Sequence, residues 1–311
     1  MKKLFLKVCL LSLVAAAMFT GVLYLSSRAG FHDFIAKITG SESYEESLNS
    51  SNEVLAYIEE ARIENNSTKL IIGDSVCNCL FNELEEYNPD YTIIGCNKGV
   101  TMAGQYILLQ EYFSCHDEVT DVYLIVTSNS LITGFDTEFG YPYAAIPFVK
   151  SGTISHLDEE TVADMEELYY KPFLQENVIG FLDQSPLARK LYLNVIKDLK
   201  PTKLTLSYPD VTIRYIKKMH ALCQEKGVTM HLISPPYADT EERREIHETL
   251  QAEYENSELY SLFPEYFETI LYYDAELFPD GMHPYVDRSI KDEMVLEMIE
   301  INGDEWDVKI E

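Results

Sequence analysis

Hydrophobic and polar positions divide the chain into unlike stretches. From Val8 to Leu25 no charge interrupts a run of 18 residues. That suffices for a helix across a hydrocarbon core, which takes about 17–25 residues. Residues 31–66 are polar and rich in Ser and Glu, and read as a stalk and leading helix. Ser50 and Glu53 have capping-box spacing, which opens a helix through about Asn65. Short apolar runs then alternate with segments of helical spacing. The runs Lys69–Gly73, Tyr91–Gly95, Asp121–Thr127, Thr229–Ser234 and Thr269–Tyr273 predict five strands. Val76–Glu86, Ala103–Phe113, Val211–Lys226, Thr240–Asn256 and Val286–Ile301 predict helices. Apolar strands separated by helices predict a three-layer α/β/α fold with a central, mostly parallel five-stranded sheet, preceded by one transmembrane helix.

Residues 131–210 break this rhythm. They carry Tyr141, Tyr143, Tyr169, Tyr170, Tyr192 and Tyr208 and six prolines, and read as an insertion after the third strand. Its rings either stack on sugar faces or pack the insertion onto the sheet. The expected organisation is an anchor at 1–30, a stalk and leading helix at 31–66, one domain at 67–301 with the insertion, and an acidic tail at 302–311.

Charge sharpens this division. The chain holds 24 Lys and Arg against 52 Asp and Glu, a net charge of −28. A surface this acidic repels phosphate backbones, so nucleic acid is excluded as a partner. It also argues against broad docking onto anionic headgroups. The first thirty residues differ: Lys2, Lys3, Lys7 and Arg28 occur there with no acid. The positive-inside rule then places the N-terminus in the cytoplasm and residues 30–311 outside. The rival is a cleaved signal peptide, whose apolar region is usually about 7–15 residues. Its only Ala-x-Ala pattern, at Ala15–Ala17, lies in mid-run, and no lipobox surrounds Cys9. Cys77, Cys79, Cys96, Cys115 and Cys223 are odd in number, so at least one is free or intermolecular. Cys77-Asn78-Cys79 lacks zinc-site spacing and reads better as buried thiols.

Candidate chemistry collects at the predicted strand ends. The first strand runs into Gly73-Asp74-Ser75 and a helix. A serine there sits at the sheet's carboxyl edge, where a helix N-terminus favours a developing oxyanion. It needs a base. Of seven histidines, only His283 lies in an Asp-x-x-His arrangement, Asp280-Gly281-Met282-His283, after the last predicted strand. Asp280 is placed to accept from Nδ1 and leave Nε2 for a serine. Asn97-Lys98-Gly99 and Thr127-Ser128-Asn129-Ser130 end the second and third strands and offer oxyanion donors.

These four motifs together resemble the SGNH/GDSL hydrolases, over about residues 67–301 outside the insertion. The resemblance implies their flavodoxin-like α/β/α fold, with Ser75 as nucleophile, His283 as base and Asp280 as its orienter. It implies an oxyanion hole from Ser75, Asn129 and a second-block glycine, Gly99 or Gly104, with Gly99 preferred and Met102 near one expected register. Two departures stand out. The first block reads Gly-Asp-Ser-Val, and the third, Thr-Ser-Asn-Ser, lacks the family's glycine and acid. Such losses occur in branches of the family that act in cell-envelope polysaccharide acylation. The implied function is an extracytoplasmic serine esterase or deacetylase acting on O-acylated glycans or small esters, with no cofactor or metal. One alternative is a membrane-anchored O-acyltransferase component beside an integral-membrane partner. Another is a non-catalytic module on a decayed hydrolase fold.

Overall fold

Four of the apolar runs form one parallel sheet. β1 (Lys69–Gly73), β2 (Tyr91–Gly95), β3 (Asp121–Ile125) and β4 (Thr229–Ile233) pair in the order β2-β1-β3-β4. The computed structural model describes residues 2–39, 43–84, 88–96, 101–137, 139–200, 205–303 and 308. Side chains alternate across the sheet with the two-residue period of a strand. Leu70, Ile72, Ile94, Val122, Leu124 and Leu232 face a larger core, while Ile71, Ile93, Tyr123, Ile125 and Ile233 face a smaller one. The larger core is completed by α3 (Tyr44–Ala61), α5 (Met102–Phe113) and α11 (Asp210–Lys226). The smaller is completed by α4 (Ser75–Phe81) and α13 (Arg288–Asn302). Covering both faces makes three layers, and explains why these strands are apolar throughout.

The fifth predicted strand does not join this sheet. Pro235 and Pro236 follow one residue after β4, and proline cannot donate to a ladder. The chain leaves the sheet there, and β5 (Tyr237–Asp239) pairs in parallel with β6 (Tyr272–Asp274) as a separate two-stranded sheet. The expected single five-stranded sheet is therefore four strands plus two. α3 also begins earlier than expected, so Ser50 lies inside the helix instead of capping it. Val54, Ile58 and Ala61 bury one face of α3 in the larger core.

Glycines let α4 approach the sheet. A Cβ on Gly95 would lie 2.5 Å from the Cα of Asn78, and one on Gly73 would lie 2.0 Å from the Ile125 carbonyl oxygen. Any side chain at either position would push α4 or β3 away.

The region 131–210 contains α6 (Ser128–Ile132) in part, then α7 (Ile146–Ser151), α8 (Glu159–Tyr169), α9 (Glu176–Gln184) and α10 (Pro186–Leu199). Three of its tyrosines pack inward. Tyr141, Tyr169 and Tyr192 are buried, with hydroxyls donating to the carbonyls of Phe173, Asp136 and Tyr169. These three cannot stack on a sugar. Gly140 makes room for one of them, since its Cβ would sit 2.1 Å from the Tyr169 hydroxyl.

At the other end lie α1 (Lys2–Ser26) and α2 (Ala29–Thr39). Lys7–Ser26 is long and apolar enough to cross a membrane, and of these residues the protein buries Ser26 alone, at the helix's end. Most of the expected acidic tail lies outside the described residues.

Candidate active site

β1 and β3 are neighbours whose connections diverge, β1 leading to β2 on one side and β3 to β4 on the other. In such sheets the crevice beyond the carboxyl ends of the two strands is where ligands bind. Asp74 and Ser75 leave β1 at that point, and Thr127 to Ser130 leave β3 beside them.

Asp74 ties the two turns together. It is buried, and it is the N-cap of α4. Oδ1 accepts from the backbone N–H groups of Val76 (3.0 Å) and Cys77 (3.4 Å). Oδ2 accepts from the Thr127 N–H (2.7 Å), the Thr127 hydroxyl (2.8 Å) and the Ser130 hydroxyl (2.6 Å). One carboxylate thus caps a helix with one oxygen and grips the next strand's turn with the other. Beneath it, the buried Cys77 thiol is pushed well up, first by burial and then by the Asp74 charge.

Ser75 is the first residue of α4, so its own N–H makes no intrahelical bond. Its Oγ lies 2.8 Å from His283 Nε2. His283 Nδ1 lies 2.7 Å from Asp280 Oδ2. Asp280 Oδ1 accepts from the N–H groups of Met282 (2.9 Å) and His283 (2.7 Å), in a tight turn completed by Gly281 at φ +75°. Burial pushes the Asp280 carboxyl up, but hydrogen bonds from the His283 N–H, the His283 ring and the Met282 N–H outweigh it and hold it at about 2. An ionised carboxylate only accepts. Nδ1 therefore donates to Asp280, and in the neutral ring that leaves Nε2 as the acceptor for the Ser75 hydroxyl.

The expected oxyanion donors divide. Gly99 lies outside the described residues, as do Asn97 and Lys98. Of the alternatives around it, Gly104 donates its N–H to the Thr101 hydroxyl (3.4 Å) and Met102 is buried. Asn129 is half-buried in α6, in the turn that Asp74 grips.

Arg243 is the residue that sequence reasoning missed. It sits in α12 (Glu241–Glu255). Its Nη1 donates to Asn129 Oδ1 and its Nη2 to the Gly281 carbonyl, each at 3.3 Å. It thus bridges the Asn129 turn and the Asp280–His283 turn. Guanidinium only donates, so it holds the oxygen of the Asn129 amide and turns the NH2 group away from itself. Nothing local in the sequence marks it, since its two partners lie 114 and 38 residues away. Arg243→Gln is expected to lower kcat about tenfold with little change in KM, as the amide loses its fixed orientation. Arg243→Lys should recover part of the loss. Equal kinetics for all three proteins would remove Arg243 from the site.

A second histidine supports the same turn from behind. His247 Nε2 lies 3.0 Å from the Ser128 hydroxyl and Nδ1 lies 2.7 Å from the Tyr272 hydroxyl, while the Ser128 N–H donates to the Tyr237 hydroxyl (2.6 Å). Burial, then the Arg243 charge, lowers the His247 pKa from 6.5 to about 4. The unfolded chain then binds the extra proton first as pH falls. Stability from this histidine is full above about pH 6.5 and is lost as pH falls toward 4. Urea unfolding across that window should show the loss, and His247→Asn should flatten it. An equally steep decline in the variant would assign the loss to other groups.

A three-layer α/β/α protein, with one N-terminal apolar helix and a hydrogen-bonded serine–histidine–aspartate chain at the carboxyl edge of its sheet, is the class these observations define. No family model matches the chain, and no curated protein matches it. Two solved structures overlap it loosely. One, from Bacteroides fragilis, is described provisionally as an acylhydrolase. It shares 13% identity over 79% of this chain and 94% of its own, with a TM-score of 0.37. The other, from Streptococcus pneumonia, is described provisionally as a platelet activating factor. It shares 12% identity over 81% of this chain and 92% of its own, with a TM-score of 0.36. Overlap this loose assigns neither a family nor a chemistry.

Proposed function

We propose that the protein is a serine esterase of SGNH/GDSL type that cleaves O-acyl esters, of envelope glycans or small molecules, outside the cytoplasm. The supporting observation is the hydrogen-bonded chain from Ser75 through His283 to Asp280, with Nε2 2.8 Å from the serine hydroxyl. In this reading the Ser75 Oγ attacks the ester carbonyl carbon while its proton passes to His283 Nε2. Asp280 stabilises the imidazolium. The Ser75 N–H at the start of α4, the Asn129 amide and Gly99 hold the oxyanion. The tetrahedral intermediate collapses, and His283 protonates the departing alkoxide. Water then attacks the acyl-serine and gives its proton to His283. The second tetrahedral intermediate collapses, the Ser75 Oγ–acyl bond breaks, and His283 returns that proton to Ser75 Oγ, releasing the acid and the free enzyme.

The catalytic unit spans 67–301 with its insertion at 131–210, and α1 anchors it with the N-terminus in the cytoplasm. Lysines before the apolar run and an arginine after it support that orientation. An unbroken hydrogen-bonded chain from serine to carboxylate favours catalysis over a decayed module. Transfer to a sugar hydroxyl shares every step up to the acyl-serine, so only the acceptor separates hydrolysis from transferase activity. The test is fluorophosphonate labelling of the full chain, together with 4-nitrophenyl acetate turnover with and without acetylatable oligosaccharide. Labelling that disappears in Ser75→Ala is expected. Turnover that rises with oligosaccharide assigns transfer, and labelling that survives the substitution overturns the reading.

A further inference from the structure

We infer that α2 and α10 form a second membrane contact, an apolar surface lying at the boundary of acyl chains and headgroups beside the anchor helix. This rests on the reading of α1 as a membrane anchor.

The last turn of α1 is fastened to the start of α10. The Ser26 and Ser185 hydroxyls lie 2.5 Å apart, and Ser185 also donates to the Leu23 carbonyl (3.2 Å). α1 also packs against α2, and α2 against α3. Wherever α1 leaves a bilayer, these two helices are therefore held at its surface. The same end of α1 carries Tyr24, whose hydroxyl accepts from Arg28 (2.9 Å) and whose ring lies beneath that guanidinium. An amphipathic ring and a cation together are the usual furnishing of a membrane–water interface.

Both helices leave large apolar side chains uncovered there. On α10, Leu191, Val195 and Leu199 recur every four residues and are 39%, 57% and 63% exposed. They form a row beside the buried row Ala188, Tyr192 and Ile196. The apolar arc of α10 is thus wider than the part the fold covers. On α2, Phe34 and Ile38 are 59% and 67% exposed, on the side away from the buried His32 and Ala36. Phe181 of α9 adds a sixth. Outside α1, the described residues expose fourteen large apolar or aromatic side chains, and these three short helices hold six of them. Scattered single exposures are ordinary, but six on three helices, two of which pack against α1, are not.

Net charge does not oppose the contact. α10 carries Arg189, Lys190 and Lys197 against Asp198 alone, within a chain of −28. The surface binds by apolar insertion, so it needs neither anionic lipid nor low salt.

Trp306 is the chain's one tryptophan, which allows a direct test. Full-length protein carrying Trp306→Phe is reconstituted in phosphatidylcholine vesicles with brominated acyl chains, with single tryptophans introduced by Phe19→Trp, Phe34→Trp, Val195→Trp or Lys190→Trp. Phe19→Trp reports the anchor and should be strongly quenched. Phe34→Trp and Val195→Trp should lose about half their emission, at low and high salt alike. Lys190→Trp, on the polar side of α10, should be unaffected. Quenching at Phe19→Trp without quenching at Val195→Trp and Phe34→Trp would overturn this surface, leave the anchor standing, and indicate a protein partner for the patch. No quenching at Phe19→Trp would overturn both.

Discussion

Ser75→Ala and His283→Ala should each cut ester turnover by about 10³-fold or more, and the double variant should be no worse than either. The physical ground is that the two groups act as one. A serine hydroxyl is a weak nucleophile until its proton has somewhere to go, and a histidine base has nothing to do without the proton. The 2.8 Å contact between Ser75 Oγ and His283 Nε2 is the coupling. Asp280→Asn should also fall, by about 10²–10⁴-fold, because an amide can donate to Nδ1 and favour the wrong tautomer. Stability separates this from misfolding. Ser75 is only half-buried and among the described residues its side chain makes this one hydrogen bond, so the urea midpoint of Ser75→Ala should match the parent. Lost turnover with an unchanged midpoint supports the mechanism. Turnover at the parental rate in Ser75→Ala would end it. Acid alone should not uncouple the pair through Asp280, which stays ionised down to about pH 2.

Asp74→Ala carries the largest expected cost in stability, about 3–5 kcal/mol. The carboxylate accepts five hydrogen bonds, three of them from backbone N–H groups and two from hydroxyls. Alanine leaves the N–H groups of Val76, Cys77 and Thr127 in a buried site without their acceptor, and such orphaned donors cost more than the bonds were worth. The effect reaches the chemistry as well. Asp74 holds the β1 turn, which carries Ser75, against the β3 turn, which carries Asn129. Freed of that link, Ser75 and Asn129, the proposed nucleophile and oxyanion donor, no longer share a fixed frame. Asp74→Asn should lie between, since an amide oxygen can still serve one set of donors while its NH2 group confronts the other. The measurement is urea unfolding of both variants beside their kcat. A midpoint unchanged in Asp74→Ala would show that water replaces the carboxylate, and the assigned bracing role would fall.

How much of this was legible beforehand depends on how far apart the cooperating residues lie. Each of β1 to β4 appeared as an apolar run, because burial on both faces writes itself into every residue of a strand. The fifth run misled: Thr269–Tyr273 has strand composition, yet pairing is a choice of neighbour, and the Pro235-Pro236 pair sent β5 to it instead. The tyrosines of 131–210 looked equally fit for ligand or core, and burial of Tyr141, Tyr169 and Tyr192 assigned those three to the core.

The sequence by itself determined the local chemistry: a serine at a strand-to-helix turn, a histidine three residues after an aspartate, an apolar segment flanked by basic residues. These are short-range facts, written in neighbouring positions. Only the tertiary structure decided that Ser75 and His283, 208 residues apart, share a hydrogen bond. It alone showed Asp74 spanning to Thr127 and Ser130, Arg243 holding the Asn129 amide, and α10 fastened to the end of α1. Hydrogen-bond distance is a property of three dimensions, and a side chain's partner across a fold leaves no mark on the residues beside it.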